Sequence, residues 1–535
     1  MILDQHGHPI APQQWSPAPS PRGPHTPHSP YKGGGQNRLW RDWQPPHRSG
    51  DSAIAESWDL LTSRVRDLFR NEPTLRAAKR ALSKHVIGTG IQTFAEVFAT
   101  PDEADDLFNF ESDDEFERWS EEEADAEHRF AWPQMQKLHF EECMESGDSL
   151  LLKCLRKDPG RSIPLCYQML EPEQLDQTMD WPLGGNRDQK NPTKCVRGIE
   201  YTRDNVPVAY WIYDAHPYDD WSAWSTKSTR IPAERVIHTY LPNRSSEHRG
   251  VTWFSAGVQS AKDLDWYIGN ELTAAAIGAL LSVVVKREHG SGSGFGFAGD
   301  PGASNSDQFG NPLTRLGRGT IADLGKDDEL EVVESKRPNR DADPFIKLIL
   351  MLQSMGVGVS YLRLTGDYSQ SSYTSARGAH LDDQAFFAVL QAWAGRSFVR
   401  PVRREHTRQA AALGLYRSIG ARQFVNNERQ YTRIALQPPG REQLDPEMET
   451  AAALARIRGG LSTWQDEVGL RGKNWRRVAQ QQAREWKTFE KLGIVPDLSY
   501  SSQYVAAADR IENETQPQRR KPRNPNRNQP VPDDE

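Results

Sequence analysis

The 535-residue sequence predicts an α+β chain, with helices and short strands in separate stretches rather than in strict alternation. Three observations point there. Apolar residues recur every three or four positions over 52–85, 253–287, 344–355, 375–413 and 446–492, which is helical spacing. Between residues 150 and 241 the apolar runs are short and bounded by turn residues, which suits strands. The two ends of the chain carry neither pattern.

Residues 1–51 are rich in Pro, Gly, His, Ser and Gln. They hold too little apolar area to offset the entropy of ordering, so a disordered tail is expected. Ile54, Trp58, Leu61, Val65 and Leu68 predict an amphipathic helix over 52–70. Pro73 opens a second helix to about His85, and Gly88 and Gly90 end it. Residues 102–127 carry fourteen acidic side chains and one basic one, Arg118. This reads as a solvated helix with Phe116 and Trp119 turned inward; an acidic docking surface is the alternative. A helix through Phe140 and Met144 breaks at Gly147. Strands are expected at 150–155, 163–170, 195–201, 206–213 and 235–241.

The segment 253–287 reads as one long helix, small and apolar around much of its second half, suited to close packing against neighbours. Residues 289–311 form a loop dominated by Gly, Ser, Asp and Asn, followed by strand-like pieces at 319–324 and 330–334. Pro344 opens a helix to about Met355. A polar loop runs from Arg363 to Ser372, and a long helix from Ser375 to about Leu413. The stretch 446–512 is helical, with Asp445 as N-cap, a stop at Gly459-Gly460, Ser462 capping the next helix, and a third helix over 473–492. Residues 513–535, basic and then acidic, form a second disordered tail.

Composition narrows the function. Lys+Arg is 66 and Asp+Glu 73, a formal charge of -7, which excludes a basic nucleic-acid clamp as the character of the whole chain. No apolar run approaches the ~18 residues of a spanning helix, so no membrane segment is expected. The Pro-rich start lacks the apolar stretch of a signal peptide, so a soluble, multidomain chain, cytoplasmic at synthesis, is expected. Cys143, Cys154, Cys166 and Cys195 form no C-x-x-C pair and read as reduced, mostly buried thiols. His6, His8, His25, His28 and His47 are separated by proline and glycine and predict no metal site. His139 and Glu142, three apart on a helix, read as a surface hydrogen-bond pair. No P-loop, H-E-x-x-H or G-x-S-x-G motif occurs, so no catalytic residue, cofactor or metal is expected.

A dozen segments, in order over about 52–500, resemble the lambda-type phage portal proteins. They begin with Asn71-Glu72-Pro73-Thr74 and the run His85 to Ile91 containing Val86-Ile87-Gly88-Thr89-Gly90. Glu145-Ser146-Gly147-Asp148, Glu171-Pro172-Glu173-Gln174-Leu175, Ile199-Glu200 and Pro207 to Trp211 follow. Then come Ile231 to His238, Arg249 to Trp253, and Asp263-Leu264-Asp265 leading to Glu271-Leu272. Asp367-Tyr368-Ser369 with Tyr373-Thr374-Ser375-Ala376-Arg377, then Asp445-Pro446-Glu447 and Gly459-Gly460-Leu461-Ser462, complete the series. Ser372, Thr374 and Met448 depart from the family's usual Asn, Ser and Lys.

The resemblance implies a portal-type subunit with an α/β wing, long-helix stem, small α/β clip and helical crown. By analogy the wing is 52–252, the stem 253–287 and 342–360, the clip 288–341, the tunnel loop 361–375, the return to the wing 376–445 and the crown 446–512. It also implies a homo-oligomeric ring, a dodecamer, at one capsid vertex of the virion, assembled in the host cytoplasm. Double-stranded DNA would pass through it. Its partners would be the terminase large subunit, the major capsid or scaffold protein, and the head–tail connector protein. Arg363, Asp367, Tyr368, Ser369, Gln370, Ser371 and Ser372 would line the channel, with Arg363 making transient phosphate contacts. Another ring-forming head–tail structural protein is the second reading, and a DNA-processing enzyme such as a terminase or nuclease the third.

Overall fold

The computed structural model describes residues 42–100, 103–186, 192–219, 227–280, 284–287, 328–331, 342–443 and 445–493. The first predicted helix is two. The helix α1 (Gly50–Ala55), capped by Ser49, starts inside the expected tail, and α2 (Trp58–Asn71) follows after a turn. The break lets Trp58 turn inward, where its indole N–H donates to the Gly250 carbonyl at 2.9 Å. Next, α3 (Pro73–Val86) is capped by the Glu72 carboxylate, which accepts from Leu75 N at 2.7 Å. Gly88 and Gly90 end it with φ of +56° and +109°, a left-handed region open to glycine. The strand β1 (Gln92–Ala95) and the hairpin β2 (Phe98–Thr100) and β3 (Glu103–Ala104) lead into α4 (Asp106–Glu122). The acidic helix buries Phe116 and Trp119, as expected, and also Phe108, Asn109 and Ser112. Next comes α5 (Trp132–Ser146), closed by Gly147 at φ +95°, where a Cβ would stand 2.4 Å from the Val251 backbone.

His139 and Glu142 are not a surface pair. His139 is buried, bonded to Thr239 Oγ1 at 2.9 Å and Ser149 Oγ at 2.8 Å, while Glu142 turns to Arg66 at 2.5 Å. Helical spacing of three does not make two side chains partners when the helix face between them is buried.

Two antiparallel sheets follow. The pair β4 (Asp148–Leu155) and β5 (Leu165–Leu170) precedes a four-stranded meander of β6 (Lys194–Val196), β7 (Ile199–Tyr201), β8 (Pro207–Tyr213) and β9 (Ser228–Pro232). The strand expected over 195–201 is thus a hairpin, turning at Arg197 and Gly198 with φ of +47° and +86°. The chain then returns as β10 (Val236–Tyr240) to flank β4, with Val236 opposite Leu152. The larger core cluster joins Leu75, Trp119, Trp132, Phe140 and Phe398, and a smaller one lies under the meander around Ile199 and Tyr210.

The helix expected over 253–287 ends early. Helix α6 (Val258–Leu280) is about 35 Å long, and β11 (Val284–Arg287) follows, paired antiparallel with β12 (Asp328–Glu331). Val283, Val284 and Val285 are β-branched in succession, which favours strand over helix. The glycine-rich loop over 289–311 and the strand expected at 319–324 lie outside the described residues. Helix α7 (Ala342–Val357) packs on α6, with the Tyr267 and Phe345 rings 4.9 Å apart.

After the short α8 (Tyr361–Thr365) comes α9 (Tyr373–Ala394), a π turn over Gly395–Val399, and α10 (Arg400–Ala412). The predicted long helix is therefore present, with one widened turn. Pro401 has no N–H for the carbonyl one turn back and its ring would strike it; the π turn, with Arg400 N donating to Gly395 O, makes the room. Two short helices, α11 (Ala421–Asn426) and α12 (Glu428–Tyr431), lead to β13 (Ile434–Gln437), which pairs with β1 across the whole domain, Thr93 opposite Leu436.

The last group is α13 (Pro446–Arg458), α14 (Trp464–Leu470) and α15 (Trp475–Leu492). Asp445 caps α13 as expected, but α14 is capped by Thr463, not Ser462, in a capping box with Asp466. Asn474 caps α15, which starts at Trp475 rather than 473. Residues 494–512 lie outside the described residues.

Candidate functional site

The polar stretch Arg363–Ser372 divides into a helical root and a loop. Ser360 caps α8, its Oγ accepting from Arg363 N at 3.3 Å. Gly366 ends the helix with φ +69°, donating to the Leu362 carbonyl. The loop proper is Asp367–Ser372. Its bonds are made within itself and to its two flanking helices, Tyr361 and Thr365 of α8 bonding Asp367. The Asp367 carboxylate accepts from Ser369 N at 3.0 Å and Ser369 Oγ at 2.6 Å, and Ser371 N and Oγ both donate to Tyr368 O. These Ser369 bonds hold the Asp367 carboxyl below the usual carboxylate range. Ser372 closes the loop by capping α9, its Oγ accepting from Ser375 N. Tyr368 is 56% exposed. Gln370 stands between Ser369 and Ser371 in the same turn. The loop therefore presents hydroxyls, an amide, a phenol and one carboxylate, and no cation.

Arg363 is not part of it. Its side chain is 15% exposed and turns into the molecule. There Nε donates to Asp383 at 3.4 Å, Nη1 to Glu442 at 3.1 Å and to His85 Nε2 at 3.0 Å, and Nη2 to His380 Nδ1 at 2.8 Å. Guanidinium has no lone pair to give, so the facing nitrogen of each histidine is the acceptor. His85 is stacked on Phe387 at 5.0 Å, and burial with the Arg363 charge lowers its pKa to about 4. Glu442 accepts Lys84 on one oxygen and Arg363 on the other; these bonds, against some burial, hold it at about 2.

The structure thus brings Asp367, Tyr368, Ser369, Gln370, Ser371 and Ser372 together and separates Arg363 from them. His85, His380, Asp383 and Glu442 were not legible as site residues. The five-residue α8 is too short to show a period, and its partners are scattered over the chain.

Two other clusters were candidates. Glu171, Glu173 and His216 place ligand atoms within 4.8 Å of one another. Arg66 already donates to both carboxylates, at 3.1 and 2.6 Å, and to Glu142, whose pKa burial pushes up to about 7. Two exposed ion pairs join the acidic α4 to α15: Arg477 meets Glu117 at 2.9 Å and Arg476 meets Asp106 at 3.8 Å.

Residues 36–391, more than half of the chain, match the family described as "Phage portal protein, lambda family". The "Probable portal protein" of Halomonas phage phiHAP-1 is 26% identical over 466 residues, covering 86% of each chain. "Portal protein B" of Escherichia phage lambda is 21% identical over 498 residues, covering 87% of this chain and 91% of that one. Among solved structures, a chain from "Virion of native gene transfer agent (GTA) particle" aligns with a TM-score of 0.39 and 12% identity, covering 79% of this chain and 98% of that one.

Proposed function

The chain belongs to the lambda family of phage portal proteins, and from that membership we propose that copies of it close into a dodecameric ring at one capsid vertex, whose axial channel carries double-stranded DNA. DNA would be packaged through it by the terminase and leave through it to the head–tail connector. The major capsid or scaffold protein would hold its rim. The ring would assemble in the host cytoplasm and remain in the virion. The role is structural rather than enzymatic.

In this reading α6 and α7 are the stem. Trp266 and Leu272 on α6, and Leu348, Met351 and Met355 on α7, stand exposed in the single chain, which supports burial against neighbouring copies. The wing is the region up to Thr252 with β13, the clip 288–341, and the crown α13–α15.

One observation carries the channel assignment: the loop Asp367–Ser372 contains no cation and presents hydroxyls, an amide, a phenol and one carboxylate. Lys and Arg bind phosphate strongly and in a salt-dependent way. A wall that passes a duplex along should avoid that grip, because each tight contact raises the barrier to the next step. A negative or neutral lining keeps the polyanion near the axis. Deleting 367–372 and measuring the length of packaged DNA tests the assignment. Shortened or absent DNA in intact heads is expected; full-length packaging overturns it.

A further inference from the structure

The geometry points to Arg363 as a positioning residue that ties the root of the loop to the connection entering the crown. The inference rests on the reading of 367–372 as the DNA-facing loop, and it assigns that loop a mount.

The argument begins with α8. A five-residue helix has no stability of its own, because nucleation is unfavourable and propagation hardly begins. Asp383, 5% exposed on α9, supplies what it lacks. Its carboxylate accepts from Ser360 N at 2.8 Å and Ser360 Oγ at 2.7 Å, and also from Arg363 Nε. Both sides of the loop are thereby referred to α9: the near side through Asp383, the far side through the Ser372 cap.

Arg363 then extends the frame outward. Its planar fork makes simultaneous, directional bonds that a lysine could not reproduce. On one side it meets His85 of α3, which α9 holds again through Gln391 donating to the His85 carbonyl at 2.8 Å. On the other it meets Glu442, three residues before the Asp445 cap of α13. The Glu442 carbonyl accepts from Gln384 at 3.1 Å and from His380 at 3.3 Å, so its backbone is held as well as its side chain. A shift of the loop root relative to α9 must break Arg363 away from Asp383 or pull on Glu442. Wing, loop root, long helix and crown connection meet at one guanidinium.

The test uses assembled rings of the full chain. Arg363→Lys keeps the charge and loses the fork. Glu442→Gln keeps the shape and loses the charge at a residue 42% exposed, so the chain should fold in either case. Amide hydrogen exchange is read separately over 360–366 and 439–445, and packaged DNA is counted in complemented phage. Each single variant should raise exchange in both segments together by roughly tenfold, the factor for about 1.4 kcal/mol. The double variant should be no worse than the worse single, because the same link is cut twice. Loosening confined to 360–366, or additive effects in the double, overturns the proposal and leaves Arg363 a local contact. Full-length packaging after deletion of 367–372 would instead remove the channel reading. The exchange result would still decide whether the link exists.

Discussion

The loop Asp367–Ser372 and the helix that leads into it are neighbours in sequence and opposite in character. The loop keeps its hydrogen bonds to itself and to the ends of its two flanking helices, and offers neutral or acidic groups to its surroundings. The root reaches α3, α9 and the crown connection through one arginine and one buried aspartate. The difference teaches how a guide can be both firm and slippery. Firmness comes from a charged, partly desolvated mount, where ion pairs count. Slip comes from withholding cations at the surface where the polyanion passes.

Breaking the mount should have the largest effect on stability. Asp383→Ala leaves the Ser360 donors and the Arg363 guanidinium without their acceptor, at a cost of about 3 kcal/mol. Chemical denaturation of the ring subunit should show it, whereas Asp367→Ala in the exposed loop should stay within about 0.5 kcal/mol.

Acid should be the next strongest lever, and in this part of the molecule it acts on the mount through His85 and Glu442. His85 has a folded pKa of about 4, lowered from its ordinary 6.5 chiefly by burial and then by Arg363. The unfolded chain therefore binds more protons between these values, and stability falls as pH drops from about 6.5 to 4. Glu442, Lys84, Arg363 and His380 face it, and Glu442, held at about 2, begins to add its own loss below about 4.5. Other buried histidines, His139 at about 3 among them, share the acid sensitivity. The specific expectation is that His85→Gln shrinks the drop in unfolding midpoint between pH 7 and pH 5; an unchanged drop would remove His85 from the mount.

Gly366→Ala probes the junction between the two regions. Nothing lies within 4 Å of a Cβ there, so only the φ of +69° resists. A loss of about 1 kcal/mol is expected by thermal unfolding. The smallest effect belongs to Ser369→Ala, which removes one bond, from Ser369 Oγ to Asp367, on the exposed loop surface. It should change stability by no more than a few tenths of a kcal/mol, seen in the same melts, because the Ser369 backbone N still donates to Asp367.

The sequence and the structure agree best where signals are local. Pro73 opens α3, Gly147 ends α5, and Phe116 and Trp119 face inward from the acidic helix. They part where tertiary pairing decides. β9 is polar and lies on a sheet edge, and β13 takes its strand form from β1, far earlier in the chain. The widened turn before Pro401 keeps a helix continuous that a proline would otherwise interrupt. At the site, the loop was legible as a polar run and its hydroxyls stayed together. Arg363 was not, because a lone cation in a polar run reads as solvent-facing. Its partners at 85, 380, 383 and 442 come together only through the fold.

The claim that the loop guides DNA without gripping it is tested most directly by the salt dependence of duplex binding to purified rings. The slope of log K against log salt counts the phosphates neutralised. The native ring should give a slope near zero at the channel. Gln370→Arg, which places a cation in every copy of the loop, should give a steep one. A native slope of several phosphates, abolished by deleting 367–372, would contradict the account: the loop would then hold the DNA it is proposed to let pass.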